Sequence, residues 1–344
     1  MEIPKDWRNE MDRASSEKGT IIVLGGADTG KTTFVKFLAD ELSQKGLKVA
    51  VIDSDMGQSA IGPPTTIGMV FYPERDKEYF YFVGSISPMG HLLPTAVGVK
   101  KLTDRAKAMG AEVIIVDTTG YVSGEGAQQL KHSKIELLRP NLIIALDREN
   151  EIGSLIAPYL TNSFVKIDKL SVPQAVHSKT MKFRREYREK KFRKYFKGSK
   201  VYELSARDVG IFGSWIFRGR ILFPDERNTL ASILETNVTY GEDNGDAINV
   251  IVSGFYNVGK LYQARQQFSL KRVNPWEKDF FEHILVGLYD ELLTTIALGT
   301  IDDVDFINRN IKIITPLQDI TKVKGVCFGS LKVSPGGREL GKLF

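Results

Sequence analysis

Gly25-Gly26-Ala27-Asp28-Thr29-Gly30-Lys31-Thr32 fits the pattern G-x-x-x-x-G-K-[ST], and its flanks supply the context that the pattern needs. Before it, TIIVL (20–24) is a short apolar run ending in glycine, as a buried strand does. After it, Phe34, Leu38 and Leu42 recur every fourth residue, Val35 and Ala39 widen the stripe, and Gly46 stops it. That is an amphipathic helix. Strand, glycine loop and helix together fold backbone N–H groups around phosphate at a helix N-terminus, whose dipole favours anions. Gly25, Gly26, Ala27, Asp28, Thr29 and Gly30 form the cradle. Lys31 brings a cation to the β- and γ-phosphates, Thr32 offers its hydroxyl to Mg²⁺, and Thr33 completes the nucleotide-binding set. The signal is for a nucleoside triphosphate and leaves the acceptor open.

Working outward, LKVAVID (47–53) reads as a second buried strand. YFYFVG (79–84), a helical stretch near 95–109, EVIIVD (112–117), a helical stretch near 125–138 and NLIIALD (141–147) continue the alternation. Continuous apolar strands between helices predict an α/β fold, a P-loop NTPase parallel sheet flanked by helices. From about Asn228 the texture changes. INVIVSGF, HILVGLYD, LLTTIALGTI, NIKIITPL and GVCFGSLKV are strand-like runs broken by Gly, Asp, Asn and Pro. They predict a smaller, mostly β C-terminal domain, with a small barrel as its expected form. The expected organisation is a short N-terminal segment (1–19), a P-loop domain (20–227) and a β-rich domain (228–344).

Two further segments lie at carboxyl ends of strands, where open α/β sheets collect their ligands. The first is Asp53-Ser54-Asp55-Met56-Gly57-Gln58. One acid can hold Mg²⁺ and the other can accept the proton of an attacking hydroxyl; Asp53 is assigned to the metal and Asp55 to the base. Gly57 allows a sharp turn that leaves Gln58 to orient a water or the metal shell. The second is Asp117-Thr118-Thr119-Gly120-Tyr121, where hydroxyls before glycine suit phosphate or ribose and Tyr121 can stack on a base or clamp the chain. The bland readings are a capping acid and an ordinary T-x-G turn.

The chain has 344 residues, 42% hydrophobic and 26% charged, enough to bury a core in about two domains. No run of eighteen apolar residues predicts a membrane helix, and the polar, acid-bearing start argues against a signal or transit peptide. A cytoplasmic location and no membrane partner are expected. Cys327 is the one cysteine, so neither an intrachain disulfide nor a cysteine-based zinc cluster forms. His91, His132, His177 and His283 are scattered without metal-ligand spacing. Net charge is +5, yet residues 182–200, KFRREYREKKFRKYFKGSK, set ten cations against two anions. Phe183, Tyr187, Phe192, Tyr195 and Phe196 are interleaved, predicting an amphipathic helix rather than a tail. Arginine with aromatics suits a single-stranded nucleic-acid groove, and arginine near a transferring phosphate neutralises transition-state charge. A solvated face or an anionic-membrane helix is the plain alternative.

Taken together, these residues resemble the polyribonucleotide 5′-hydroxyl-kinase family, which includes the cleavage-factor and ribosomal-RNA-processing polynucleotide kinases and their archaeal relatives. The resemblance rests on GGADTGKT, the DxDxGQ-type segment DSDMGQ, the clasp-like TTGY followed by Gly124, and the arginine-rich lid. Ser87-Pro88, in YFVGSISPMGH, is similar to the family's Ser/Thr-Pro step. It covers about 20–200, and the β-rich tail suits the family's C-terminal domain. It implies ATP-Mg²⁺-dependent phosphorylation of RNA 5′-OH ends, and the sequence leaves RNA versus DNA preference open. Lys31 and Thr32 then serve the phosphates and metal, Asp55 is the general base, and Thr118 and Tyr121 form the clasp. Arg184, Arg185, Arg188 and Arg193 become lid cations. Tyr121 stands where the clasp often has tryptophan or asparagine, and only about nineteen residues precede the first strand, so partner docking through an N-terminal domain is not expected. Competing readings are a P-loop switch ATPase or GTPase, a small-molecule kinase, and an RNA-processing scaffold that binds ATP with little turnover. Against the GTPase, Val165-Lys166-Ile167-Asp168 is a poor match to a guanine-reading N/TKxD motif.

Overall fold

Ile21 and Val23 face one side of the central sheet, and Ile22 and Leu24 face the other, as the two-residue period of a strand requires. They do so in a computed structural model that describes residues 5–161, 163–173 and 178–343; His177 lies outside the described residues. The chain divides into two compact units, Met1–Phe192 and Arg193–Phe344.

The first unit opens with α1 (Lys5–Glu17), β1 (Gly19–Gly25), α2 (Lys31–Gln44), β2 (Val49–Asp53), β3 (Thr66–Tyr72) and β4 (Tyr79–Phe82). It continues with α3 (Leu92–Ala108), β5 (Val113–Asp117), α4 (Glu125–Leu138), β6 (Leu142–Asp147), α5 (Gly153–Ile156) and β7 (Lys166–Ser171). The strand order is β4-β3-β2-β5-β1-β6-β7. Pairings from β2 through β7 are parallel, while β3 and β4 add an antiparallel edge absent from the sequence expectation. On one face, α2 buries Phe34, Val35, Leu38 and Leu42 against Val49, Val51 and Ile115. On the other, Val99 and Leu102 of α3 and Ile135 and Leu138 of α4 share a core with Ile52, Ile114 and Val116. Each such large side chain contributes about 1.5–3 kcal/mol through burial. The polar N-terminal segment is not idle. α1 buries Trp7 edge-on against Phe34, at 5.0 Å between ring centroids, and ties to β7 through Arg13–Asp168 and Glu17–Lys166 ion pairs. α6 (Met181–Tyr195) closes the first unit and runs past its boundary.

The second unit begins at Arg193, earlier than the expected 228. It holds β8 (Lys200–Ser205), β9 (Gly210–Phe212), β10 (Arg220–Ile221), α7 (Pro224–Leu234), β11 (Asn237–Asp243), β12 (Ala247–Ser253) and α8 (Leu261–Gln267). β13 (Arg272–Glu277), β14 (Ile284–Tyr289), β15 (Thr295–Asp305), β16 (Asn310–Thr315), β17 (Gly325–Val333) and β18 (Glu339–Lys342) follow. β8 joins this unit because it pairs antiparallel with β16 at the end of a sheet ordered β18-β17-β14-β15-β16-β8, with β9 beside β17. A separate sheet, β10-β11-β12-β13, packs under α7 and α8 through Leu230, Leu234, Ala264, Ile248 and Val250. The expected small barrel is therefore replaced by two open sheets: among the described residues the end strands β18 and β8 do not pair with each other.

One carboxylate organises this unit. Glu242 is fully buried and accepts the N–H groups of Phe217 (2.6 Å), Arg218 (3.1 Å) and Gly219 (2.8 Å), plus the Tyr240 hydroxyl (2.5 Å). Burial and this anion push the Tyr240 phenol far above its ordinary range. Removing the acceptor orphans four donors at once. Glu242→Ala is expected to lower unfolding free energy by about 3 kcal/mol or more, read from denaturant midpoints.

Candidate active site

Three neighbouring strands, β2, β5 and β1, deliver the three motif loops to one end of the sheet. Asp117 is level with both Val23 and Asp53 in the register. The phosphate loop follows β1, the DSDMGQ segment follows β2, and the TTGY turn follows β5. Backbone contact locks them. A Cβ on Gly120 would lie 2.6 Å from the Ala27 backbone, and one on Gly57 would lie 2.6 Å from the Ile86 carbonyl oxygen. The second contact also brings the loop that carries Ser87 beside DSDMGQ.

In the phosphate loop, Lys31 is buried, and its Nζ donates to Gly26 O (2.5 Å) and Thr29 Oγ1 (3.4 Å). Burial lowers the Lys31 ammonium's pKa, against the opposing pull of Asp117 and Asp55. Gly26 N–H donates to Glu151 Oε1 at 3.3 Å. Gly30 directly precedes α2, Ala27 is exposed, and Thr33 lies on the exposed side of the first helical turn. Thr32 Oγ1 donates to Asp117 Oδ2 at 2.6 Å. The other oxygen, Asp117 Oδ1, is buried without a hydrogen-bond partner among the described residues. Burial raises the Asp117 carboxyl to about 6, opposed by Lys31 and the Thr32 bond.

The two acids after β2 differ sharply. Asp53 is buried; Oδ1 accepts Asp55 N–H (2.9 Å), and Oδ2 accepts Ala60 N–H (2.5 Å) and Ile61 N–H (3.2 Å). Burial, then Asp117 and Asp55, push its carboxyl up to about 7. Both oxygens of Asp53, the expected metal ligand, thus brace the loop backbone. Asp117 takes the place beside Thr32, which sequence alone does not indicate. Asp55 is half-buried. Its Oδ1 accepts Gly57 N–H and Gln58 N–H, both at 3.0 Å, while Oδ2 takes no hydrogen bond among the described residues.

The clasp turn also departs from expectation. Thr118 is fully buried and its hydroxyl donates to Val23 O at 2.7 Å, so it stitches β5 to β1 rather than facing substrate. Tyr121 is half-buried near Gly126. Ser87 is half-buried, and its Oγ accepts Met89 N–H at 3.2 Å.

The basic helix α6 lies along this end of the unit because residues 184, 187 and 191 share a helix face. Arg184 Nη2 donates to Asp28 Oδ2 (2.6 Å), Tyr187 Oη to Ser59 O (3.0 Å) and Lys191 Nζ to Gly62 O (3.0 Å). Just before it, Lys179 donates its N–H to Asp28 (2.9 Å) and its Nζ to Gln58 Oε1 (3.2 Å). Arg188 is half-buried. Arg185 instead pairs with Glu189 on the exposed face at 3.1 Å, and exposed Arg193 belongs to the second unit. The aromatics do not make a continuous stacking groove. Phe192 and Phe196 are buried, Tyr195 Oη accepts Leu298 N–H, Tyr187 is bonded to Ser59, and Phe183 alone of the five is exposed.

The family model for the mRNA cleavage and polyadenylation factor CLP1 P-loop matches residues 25–198. A polyribonucleotide 5′-hydroxyl-kinase of Methanocaldococcus jannaschii is 36% identical over 354 residues, spanning 99% of this chain and 95% of that relative. One of Pyrococcus furiosus is 32% identical, spanning 99% and 96%. The solved structure of a wild-type Clp1p–Pcf11p complex matches with a TM-score of 0.62 at 13% identity, over 95% of this chain and 79% of that one, a likeness of fold. Among the described residues, no helix is long and apolar enough to cross a membrane.

Proposed function

This chain belongs to the CLP1 P-loop family, with archaeal polyribonucleotide 5′-hydroxyl-kinases among its full-length relatives, and from that premise we propose that it transfers the γ-phosphate of ATP to the 5′-hydroxyl end of RNA. The observation that carries the reading is the convergence of Lys31, Thr32, Asp117 and Asp55 on the carboxyl end of one sheet, with Arg184 brought over the loop from α6. Phosphoryl transfer needs positioning and electrostatic stabilisation more than covalent chemistry. Lys31 and the loop N–H groups bind the β- and γ-phosphates. Asp55 Oδ2 accepts the proton of the attacking hydroxyl. Arg184 and Arg188 neutralise charge on the transferring group.

Thr32 and the unpartnered Asp117 Oδ1 fit a hard, oxygen-preferring cation that takes one or two protein ligands, as Mg²⁺ does. When bound, Mg²⁺ supplies positive charge to the phosphates. Tyr121 and Ser87 border the acceptor side, and Gln58 orients the polar groups there.

The test is γ-labelled ATP, Mg²⁺ and matched 5′-OH RNA and DNA oligonucleotides, with Lys31→Ala as control. Label on the 5′ end, lost in the control, establishes the kinase and ranks its acceptors; ATP binding without label on either strand rejects it. Charge reversal at Arg184 and Arg188 is expected to lower turnover by roughly 10²–10³-fold and to weaken RNA binding. Normal kinetics in that variant reduce the helix face to a solvated one.

A further inference from the structure

α4 carries two lysines, Lys131 and Lys134, that belong to none of the motif loops. Each is about 1% exposed, and their three-residue spacing puts both on one helix face. Lysine is almost never fully buried unless something compensates its charge. Lys134 Nζ donates to Ser54 Oγ at 2.9 Å, and Ser54 Oγ in turn donates to Asp117 O at 2.8 Å. Lys131 Nζ donates to Thr119 O at 2.6 Å and approaches Thr119 Oγ1 at 3.4 Å. Ser54 sits between Asp53 and Asp55, and Thr119 follows Asp117 by two residues. One helix face therefore places a lysine Nζ against each of the two acid-bearing loops.

The electrostatics set the two lysines apart. Burial pushes Lys134 down to about 8, while Asp55, Asp117 and Asp53 hold it toward the charged form. Burial, then Lys134 and Lys31, push Lys131 well below its ordinary range, against Asp55 and Asp117. Asp53 and Asp117 are buried beside the half-buried Asp55, and a nearby cation offsets the like charge gathered there. Lys31 faces them from the phosphate loop. Lys134 faces them from α4.

We propose that Lys131 and Lys134 are positioning residues for phosphoryl transfer that fix the DTTG and DSD loops from α4, with Lys134 also a buried cationic floor that balances the charge of Asp53, Asp55 and Asp117. The catalytic consequence rests on the kinase reading of the site; the charge balance does not. Neither lysine touches the reacting atoms. Lys131 acts through the Thr119 carbonyl and Lys134 through the Ser54 hydroxyl.

The experiment has two independent arms. In the first, Lys134→Met and Lys134→Gln are compared with wild type in steady-state RNA phosphorylation. Glutamine keeps a donor for Ser54 and removes the charge, so both variants are expected to lose roughly tenfold or more in kcat, with KM for ATP and RNA within about threefold. Wild-type kcat in Lys134→Gln overturns the proposal, because a neutral hydrogen bond then suffices. In the second arm, melting temperatures are measured for Lys134→Met, Asp53→Asn and the double variant. Lys134→Met is expected to melt roughly 6 °C or more below wild type, and the double variant to lose less than the two singles added together. Additive losses overturn the charge balance. A wild-type protein that transfers no label rejects the kinase reading, and the melting cycle still decides the cationic floor.

Discussion

Asp55→Asn is expected to lower phosphate transfer to RNA by about 10²–10⁴-fold while leaving ATP affinity within about threefold of wild type. The substitution isolates one atom. Asp55 Oδ1 accepts Gly57 N–H and Gln58 N–H, and an asparagine carbonyl can accept both, so the turn that shapes the loop is retained. What disappears is the oxygen that takes no hydrogen bond among the described residues, replaced by an NH₂ unable to receive a proton. Single-turnover transfer to 5′-OH RNA, beside ATP binding by titration calorimetry, separates the chemical step from nucleotide capture. Retained transfer removes Asp55 as the base.

Asp117→Asn is expected to reduce kcat by about 10²–10³-fold at low millimolar Mg²⁺ and to recover partly as Mg²⁺ is raised, because Lewis-acid stabilisation is worth several kcal/mol. Thr32 can still donate to the amide oxygen, so the link between loop and strand survives. Only the buried, unpartnered Oδ1 and the negative charge are lost. Asp53→Asn is the informative contrast. It turns one acceptor oxygen toward N–H groups as a donor, disturbing Asp55, Ala60 or Ile61, so its defect should appear in thermal stability and should not respond to Mg²⁺. A Mg²⁺-responsive Asp53→Asn and an unresponsive Asp117→Asn would return the metal role to Asp53.

The phosphate loop and strands 20–24, 47–53, 112–117 and 141–147 are legible in the sequence because they are central, buried on both faces and therefore continuously apolar. β3 is harder to read: Gly68 interrupts its apolar run, and a Cβ there would meet Ile61 O at 2.3 Å. β7 and β8 are edge strands with mostly exposed or half-exposed residues, so KIDKLS and KVYELS carry no core pattern, and the unit boundary shifts with β8. In the site, local motifs are legible and partnerships across the sheet are not. That Asp117 meets Thr32, and that Thr118 turns inward to Val23, follow from β5 lying beside β1, which no spacing within either segment reveals. Lys131 and Lys134 belong to no motif, and their partners Thr119 and Ser54 lie on other segments, so only the fold shows them buried.

The glycine contacts at the head of the sheet have a mechanical meaning. Where Gly120 abuts the Ala27 backbone and Gly57 abuts the Ile86 carbonyl, no side chain stands between the loops to bend or change rotamer. Close-packed matter of this kind is nearly incompressible and passes displacement on instead of absorbing it. The loops after β1 and β5, and those after β2 and β4, thus meet in two pairs like meshed teeth rather than sprung plates. A shift of the clasp turn at Gly120 therefore bears directly on the phosphate-loop backbone at Ala27.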